Sequence, residues 1–301
     1  MGISHYIKDI GRGRQGARAL SREQAADLFG QVLDGTVTDL EVGAFCLAMR
    51  IKGETPEEMA GFLDANRARL NLLPASDRPL VVLPSYNGAR KLPVLTPLLG
   101  LLLAREGLPV LVHGTATESS RVFASDVLEA LGIRAMTAIE KIADGTLAHA
   151  PTGLLSPGLK RLLDVRRVVG LRNPAHSLVK LMNPSAGTAL VVGSYTHPEY
   201  AVSMAATFEL IGANALLLRG TEGEVVADAR RTPQMQGFIA GRPMLLQEGV
   251  KGTLPEVPAL PRGIDAASTA DYTRSVLAGT SPLPASIAQQ VEHILHLASL
   301  L

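Results

Sequence analysis

Tryptophan is absent from this chain, and aromatic residues make up only 4% of its 301 positions. Proteins that grip single-stranded bases by stacking need such rings, so the composition argues against stacking as a main source of affinity. A single cysteine, Cys46, allows no internal disulfide and fits a reducing compartment. Flanked by Phe45 and Leu47, it reads as a small core residue. The longest apolar run, Leu92 to Ala104, holds Pro93 and Pro97 and falls short of the ~20 residues of a membrane helix. The N-terminus has no apolar signal-peptide core. These absences predict a soluble, cytoplasmic protein.

A large net charge is lacking too: Lys and Arg number 29 against 28 Asp and Glu, a balance of +1. The charges are nevertheless segregated. Lys8, Arg12, Arg14, Arg18 and Arg22 face only Asp9 in the first 22 residues. Lys160, Arg161, Arg166, Arg167, Arg172 and Lys180 face only Asp164. Acids gather at Glu54, Glu57 and Glu58, and at Glu222, Glu224 and Asp228. Segregation of this kind suits polyanion binding even at neutral total charge, although solvated helix faces account equally well for either cluster alone.

The chain is organised around Leu80–Gly114. An apolar burst (Leu80–Leu83) breaks into Pro84-Ser85-Tyr86-Asn87-Gly88-Ala89-Arg90-Lys91, and a leucine-rich helix and a second burst ending in His113-Gly114 follow. Strand, loop, helix, strand means a parallel sheet, with ligands expected outside the carboxyl ends of its strands. Further strands are predicted at Arg134–Met136, Ala189–Gly193 and Ala213–Arg219. Helices are predicted at Thr96–Arg105, Ser119–Leu131, Ile139–Asp144, Pro157–Val169, Pro198–Ile211, Ala266–Leu277 and Ala285–Leu300. Leu254–Gly263, with Pro255, Pro258 and Pro261, reads as an extended connector. Upstream, three capping boxes opened by Ser21, Thr38 and Thr55 each precede an apolar face, so the first seventy residues form a helical unit. The expected fold is α/β: an all-helical N-terminal domain (1–73, with a return segment 172–185) beside a larger domain (74–301) whose mainly parallel sheet is flanked by helices.

AFCLAMRIKGETPEEMAGF at 44–62, His113-Gly114, SDVLEALG at 125–132, VRRVVGLRNP at 165–174, LMNPS at 181–185 and GTEGE at 220–224 resemble the anthranilate phosphoribosyltransferase family. The resemblance implies a helical domain beside an α/β domain, paired as a homodimer through the helical parts. It also implies a cleft in which His113 lies beside the aromatic substrate and Arg166 meets its carboxylate. Ser119, Ser120 and Asp126 would hold phosphate and metal, with Asn87, Gly88 and Gly114 lining the same cleft; retained architecture is the alternative for each.

The family's phosphate grip is altered. Phosphoribosyl transfer needs a glycine-rich loop whose N–H groups cradle the pyrophosphate of phosphoribosyl pyrophosphate, and carboxylates that hold Mg²⁺ on it. The loop here keeps one glycine of the family's run, and Val225 and Val226 stand where the family has an Asp-Glu pair. The IGRGRQGARALS run and the PSYNGARK loop look like the divergent YbiB-type branch, which implies nucleic-acid binding in place of catalysis. The expected partners are DNA and a second copy of the chain, with no cofactor. Phosphate contacts are expected from Lys8, Arg12, Arg14, Arg18, Arg90, Lys91, Arg166, Arg167 and Arg172. The alternatives are a phosphoribosyltransferase using Mg²⁺ and phosphoribosyl pyrophosphate and, more weakly, a nucleoside-phosphorylase-like enzyme.

Overall fold

The structure is a computed structural model that describes residues 2–118, 120–252 and 258–301, with Arg14 described by its backbone alone. The helical unit comprises α1 (Ser4–Ile10), α2 (Gly13–Gly16), α3 (Arg22–Asp34), α4 (Asp39–Lys52) and α5 (Pro56–Arg67). All three capping boxes form: Ser21, Thr38 and Thr55 each accept the N–H three residues on, and Gln24, Glu41 and Glu58 reach back. Each cap satisfies two N–H groups that a helix start leaves open. The apolar faces meet at Phe29, Phe45 and Phe62, with Phe29 and Phe62 stacked at 4.6 Å and Phe45 edge-on to both. Burying each ring contributes roughly 1.5–3 kcal/mol. Helices α1 and α2 are absent from the sequence reading because Gly11, Gly13 and Gly16 break their periodicity; tertiary burial of Ile3 and Ile10 secures them instead.

The larger unit continues with β1 (Leu80–Pro84), α6 (Thr96–Arg105), β2 (Val110–Gly114), α7 (Ala124–Ala130), β3 (Leu147–Pro151), α8 (Thr152–Leu155), α9 (Pro157–Val169) and α10 (Ala175–Leu178). It closes with β4 (Ala189–Tyr195), α11 (Pro198–Leu210), β5 (Ala215–Arg219), β6 (Met235–Ile239), β7 (Arg242–Gln247), α12 (Ala266–Leu277) and α13 (Ala285–Ser299). One sheet runs β3-β2-β1-β4-β5-β6-β7, its first five strands parallel and the last two antiparallel. One sheet face shares a continuous apolar core with the helical unit, and α6, α7, α12 and α13 cover the other. Several hydrogen bonds stitch the units together, among them Asn71 N–H to Leu155 O at 2.8 Å and Arg161 Nη2 to Leu33 O at 2.6 Å. Leu73 N–H donates to Pro184 O at 2.9 Å, and the Arg67 guanidinium donates to the carbonyls of Asn183 and Ser185.

Four sequence expectations are corrected. Arg134–Met136 is not a strand and contributes a single bridge, Ala135 to His149. The edge strand is instead Leu147–Pro151, whose small residues and terminal proline carry little β signal but suit an edge. Ile139–Asp144 is loop, with Ile142 buried as its anchor. Helix α7 begins at Ala124 and not at Ser119, because the Asp126 carboxylate accepts the Phe123 N–H at 2.8 Å and fixes the start there. The β6–β7 hairpin is not foreseen by the sequence reading; it turns through Ala240 and Gly241, both at positive φ, without the Asn-Gly signature of such turns. Of the proline-rich connector, 253–257 lies outside the described residues and 258–263 has no regular structure. Among the described residues no helix is long and apolar enough to cross a membrane.

Candidate functional site

The carboxyl ends of β1, β4 and β5 meet the helical unit in a cleft, and the loop after β1 forms its rim. This loop has backbone N–H groups facing inward, as an anion cradle requires. Its occupant is part of the chain. Glu224, 2% exposed, accepts the N–H groups of Asn87 and Gly88 on Oε1, both at 2.9 Å. Its Oε2 accepts the Ser85 hydroxyl and, at 3.0 Å, the Thr96 hydroxyl at the start of α6. Glu222 repeats the pattern one turn out, its Oε2 accepting the N–H groups of Arg90, Lys91 and Leu92 at 2.7, 3.1 and 3.3 Å. Two carboxylates from the turn after β5 thus take the N–H groups and hydroxyls that this loop turns inward. Charge-assisted hydrogen bonds of this number offset the cost of burying a carboxylate.

Close backbone approach makes the fit possible. A Cβ on Gly223, whose φ is +89°, would lie 1.8 Å from Asn87 Nδ2. A Cβ on Gly114 would lie 1.6 Å from Ser85 O, so β1 and β2 can converge only over a glycine there.

The residues present do not fit a Mg²⁺-bound pyrophosphate. Val225 and Val226 are 0% and 1% exposed in the apolar core, and the nearby carboxylates of Glu222 and Glu224 are committed to backbone N–H groups. Among the described residues no group of three or more His, Cys, Asp and Glu side chains is arranged to hold a metal ion.

The other expected cleft residues divide. Asn87 is buried and accepts from Arg172 Nη2 at 3.2 Å, and Gly88 supplies an N–H to Glu224. Asp126 caps α7, Ser120 is exposed, and Ser119 lies outside the described residues. His113 is completely buried in β2, neither ring nitrogen has a partner among the described residues, and burial pushes its pKa down to about 3.

Arg166 pairs with Glu118, which also holds Arg121. Arg167 is exposed and donates to Ala116 O at 3.2 Å. Arg90 and Lys91 are exposed on the loop rim, so Arg90, Lys91, Arg121, Arg166 and Arg172 surround one corner of the cleft. Lys8, Arg12 and Arg18 lie exposed on the N-terminal arm, with Arg12 3.3 Å from Asp9; the Arg14 side chain lies outside the described residues. The basic residues therefore come from two parts of the fold, the N-terminal arm and the corner of the cleft.

Behind the loop lies a cavity of about 490 Å³ between α4–α5, the Arg172–Leu181 segment and the start of α11. Tyr86 separates it from the cradle: its hydroxyl donates to His176 O, and its ring packs edge-on to His176 at 6.3 Å. Lys180 lies 5.8 Å from the Tyr86 ring centre and donates to Ser194 O at 2.9 Å. Burial, helped by Arg172, pushes its pKa down to about 8. His176 falls to about 4 for the same reasons, and burial raises Glu54 above the usual carboxylate range.

Sequence reasoning missed the roles of Glu222, Glu224, Tyr86, His176 and Lys180. The one available signal was complementarity, since a loop with a single glycine and free N–H donors faces a turn that has two glutamates.

Comparison with known proteins agrees with this architecture. Residues 4–70 match the family model described as "Glycosyl transferase family, helical bundle domain". The chain is 40% identical to the Escherichia coli protein named "Uncharacterized protein YbiB" over 97% of its own length and 92% of that protein. It is 30% identical to an anthranilate phosphoribosyltransferase of Methanosarcina acetivorans, over 85% of its own length and 72% of the enzyme. The crystal structure of anthranilate phosphoribosyltransferase from Thermus thermophilus superposes with a TM-score of 0.72 at 24% identity, covering 95% of this chain and 85% of that one.

Proposed function

The chain belongs to the anthranilate phosphoribosyltransferase family, and within that family we propose that it is a nucleic-acid-binding protein, meeting phosphates with its basic patches, and not a phosphoribosyltransferase. The observation that carries this reading is the seat of Glu224 on the N–H groups of Asn87 and Gly88. A cradle already holding a carboxylate repels a pyrophosphate, and the valine pair cannot bring a cation to offset that repulsion. The cations of the N-terminal arm (Lys8, Arg12, Arg18) and of the loop rim (Arg90, Lys91) suit a sequence-tolerant grip on DNA.

A second copy of the chain is the other partner we propose. Leu40, Leu47 and Ile51 form an exposed apolar stripe on α4, 84%, 47% and 55% accessible, and pairing through it would double both basic patches.

The relatives named as anthranilate phosphoribosyltransferases favour a second reading, phosphoribosyl transfer to an aromatic amine or a related acceptor. Under that reading Glu224 must leave the loop before substrate enters. Fluorescence anisotropy of labelled single- and double-stranded oligonucleotides, titrated at two salt concentrations, tests the first reading. Affinity that falls steeply with salt, and a slope flattened by roughly one to two units of log K per log salt in an Arg12→Ala, Arg18→Ala variant, supports it. Absence of binding at low salt overturns it.

A further inference from the structure

We propose that the cavity behind Tyr86 is a binding site for a mononucleotide, a ring-bearing phosphate monoester. This goes beyond the surface reading above and does not depend on it. The volume, about 490 Å³, lies within the ~300–1,000 Å³ of sites that enclose whole organic ligands, and exceeds what an inorganic anion or a one-ring acid would fill.

The cavity wall has hydrogen-bonding capacity that the protein leaves unused. Lys180 is 9% exposed and commits one of its three protons, to Ser194 O. His176 is 4% exposed, and its Nε2 has no partner among the described residues. The Arg172 fork makes one bond among the described residues, to Asn87 Oδ1. Together these offer more donors than the two oxygens of a carboxylate accept, and they match the three oxygens of a phosphate monoester. Arg50 adds a further cation at the mouth. Two acids share the wall: Glu199 in the first turn of α11, where the helix dipole favours it, and Glu54 just before the Thr55 cap of α5, where burial raises its pKa and so favours its neutral form. Among the described residues none of these five charged side chains is in an ion pair.

A flat ring has partners in the same space. Three of the chain's five tyrosines (Tyr86, Tyr195 and Tyr200) line this one cavity, together with His197, in a sequence otherwise poor in aromatics. Rings of that kind hold a base by stacking. Walls from both structural units admit a single nucleotide, not a continuous strand, so the ligand is either a free mononucleotide or the phosphorylated end of a strand.

Isothermal titration of the full chain with AMP, CMP, adenosine and inorganic phosphate tests the proposal. Both nucleotides are expected to bind one per chain, with adenosine and phosphate at least about tenfold weaker. Lys180→Met should weaken AMP by about tenfold or more, and Arg50→Glu, at the exposed mouth where folding is not at stake, should weaken it in the same direction. Displacement of AMP by a 5′-phosphorylated but not a 5′-hydroxyl oligonucleotide supports the site and assigns it a strand end; displacement by neither supports it and assigns a free nucleotide. Lack of saturable AMP or CMP binding at millimolar concentration, or affinity unchanged in both variants, overturns the proposal. Loss of oligonucleotide binding with AMP binding intact would remove the surface reading and leave this one standing.

Discussion

Glu224 and Gly88 lie 136 residues apart in sequence, and the carboxylate of one accepts the backbone N–H of the other at 2.9 Å. The contact closes a loop whose shape invites an anion, using an anion the chain itself provides. It also ties the turn after β5 to the loop after β1 across the intervening strand β4.

Truncating that carboxylate should therefore be strongly destabilising. Glu224→Ala leaves two buried N–H groups and two hydroxyls without their partner, and is expected to lower unfolding free energy by about 2–4 kcal/mol in urea denaturation. Glu224→Gln keeps one acceptor on the N–H pair and should lose less. The same Ala variant is expected to gain affinity for inorganic pyrophosphate by titration calorimetry. A variant as stable as the parent would show that the contact contributes nothing.

The convergence of β1 and β2 sets a second test. Gly114→Ala puts a methyl 1.6 Å from Ser85 O, where only backbone can move away. A loss of more than about 3 kcal/mol is expected in denaturant melts, as for other overpacked core sites. A change below the noise of the melt would mean that the strands need not approach this closely.

Lys180 makes stability depend on pH in a stated direction. Its folded pKa of about 8 lies below the ordinary 10.5, so between those values the unfolded chain binds the extra proton and stability rises with pH. Below pH 8 the charged, buried lysine costs on the order of 3 kcal/mol, from a shift of that size at about 1.4 kcal/mol per unit. Lys180→Met should thus raise Tm at pH 7, less the ~1 kcal/mol of the lost bond to Ser194 O, and the gain should vanish towards pH 10.5. A Tm difference that is flat with pH would contradict this. Retaining such a lysine fits a site kept for binding and not for stability.

The α4 stripe gives an expectation for assembly. Leu47→Asp places a charge on the exposed apolar row of Leu40, Leu47 and Ile51, and light scattering should show the mass fall from two chains to one. An unchanged mass would place any subunit contact elsewhere.

The sequence exposes those parts of the fold whose signals are local. Ser21, Thr38 and Thr55 announce three helices within four residues each, and Leu80–Leu83 with Val110–Val112 announce buried parallel strands. It misleads where local signal is weak, as at Leu147–Pro151 and at the Ala240-Gly241 turn. The site is half legible. The resemblance points to an altered glycine run at Pro84–Lys91 and to valines at Val225–Val226, but the carboxylates that fill the loop are not legible. Glu224 reaches its partners across more than 125 residues, and Lys180 sits in a segment with no periodicity to separate buried from exposed positions. In the sequence both read as members of charged clusters, and only the fold puts them inside.

The most direct measurement is a calorimetric titration of the wild-type chain with phosphoribosyl pyrophosphate, with and without Mg²⁺. With Glu224 seated on Asn87 and Gly88, and with Val225 and Val226 beside it buried and unable to bind a cation, no Mg²⁺-dependent heat is expected. A saturable, Mg²⁺-dependent heat would contradict the closed cradle and return the chain to the transferases it resembles.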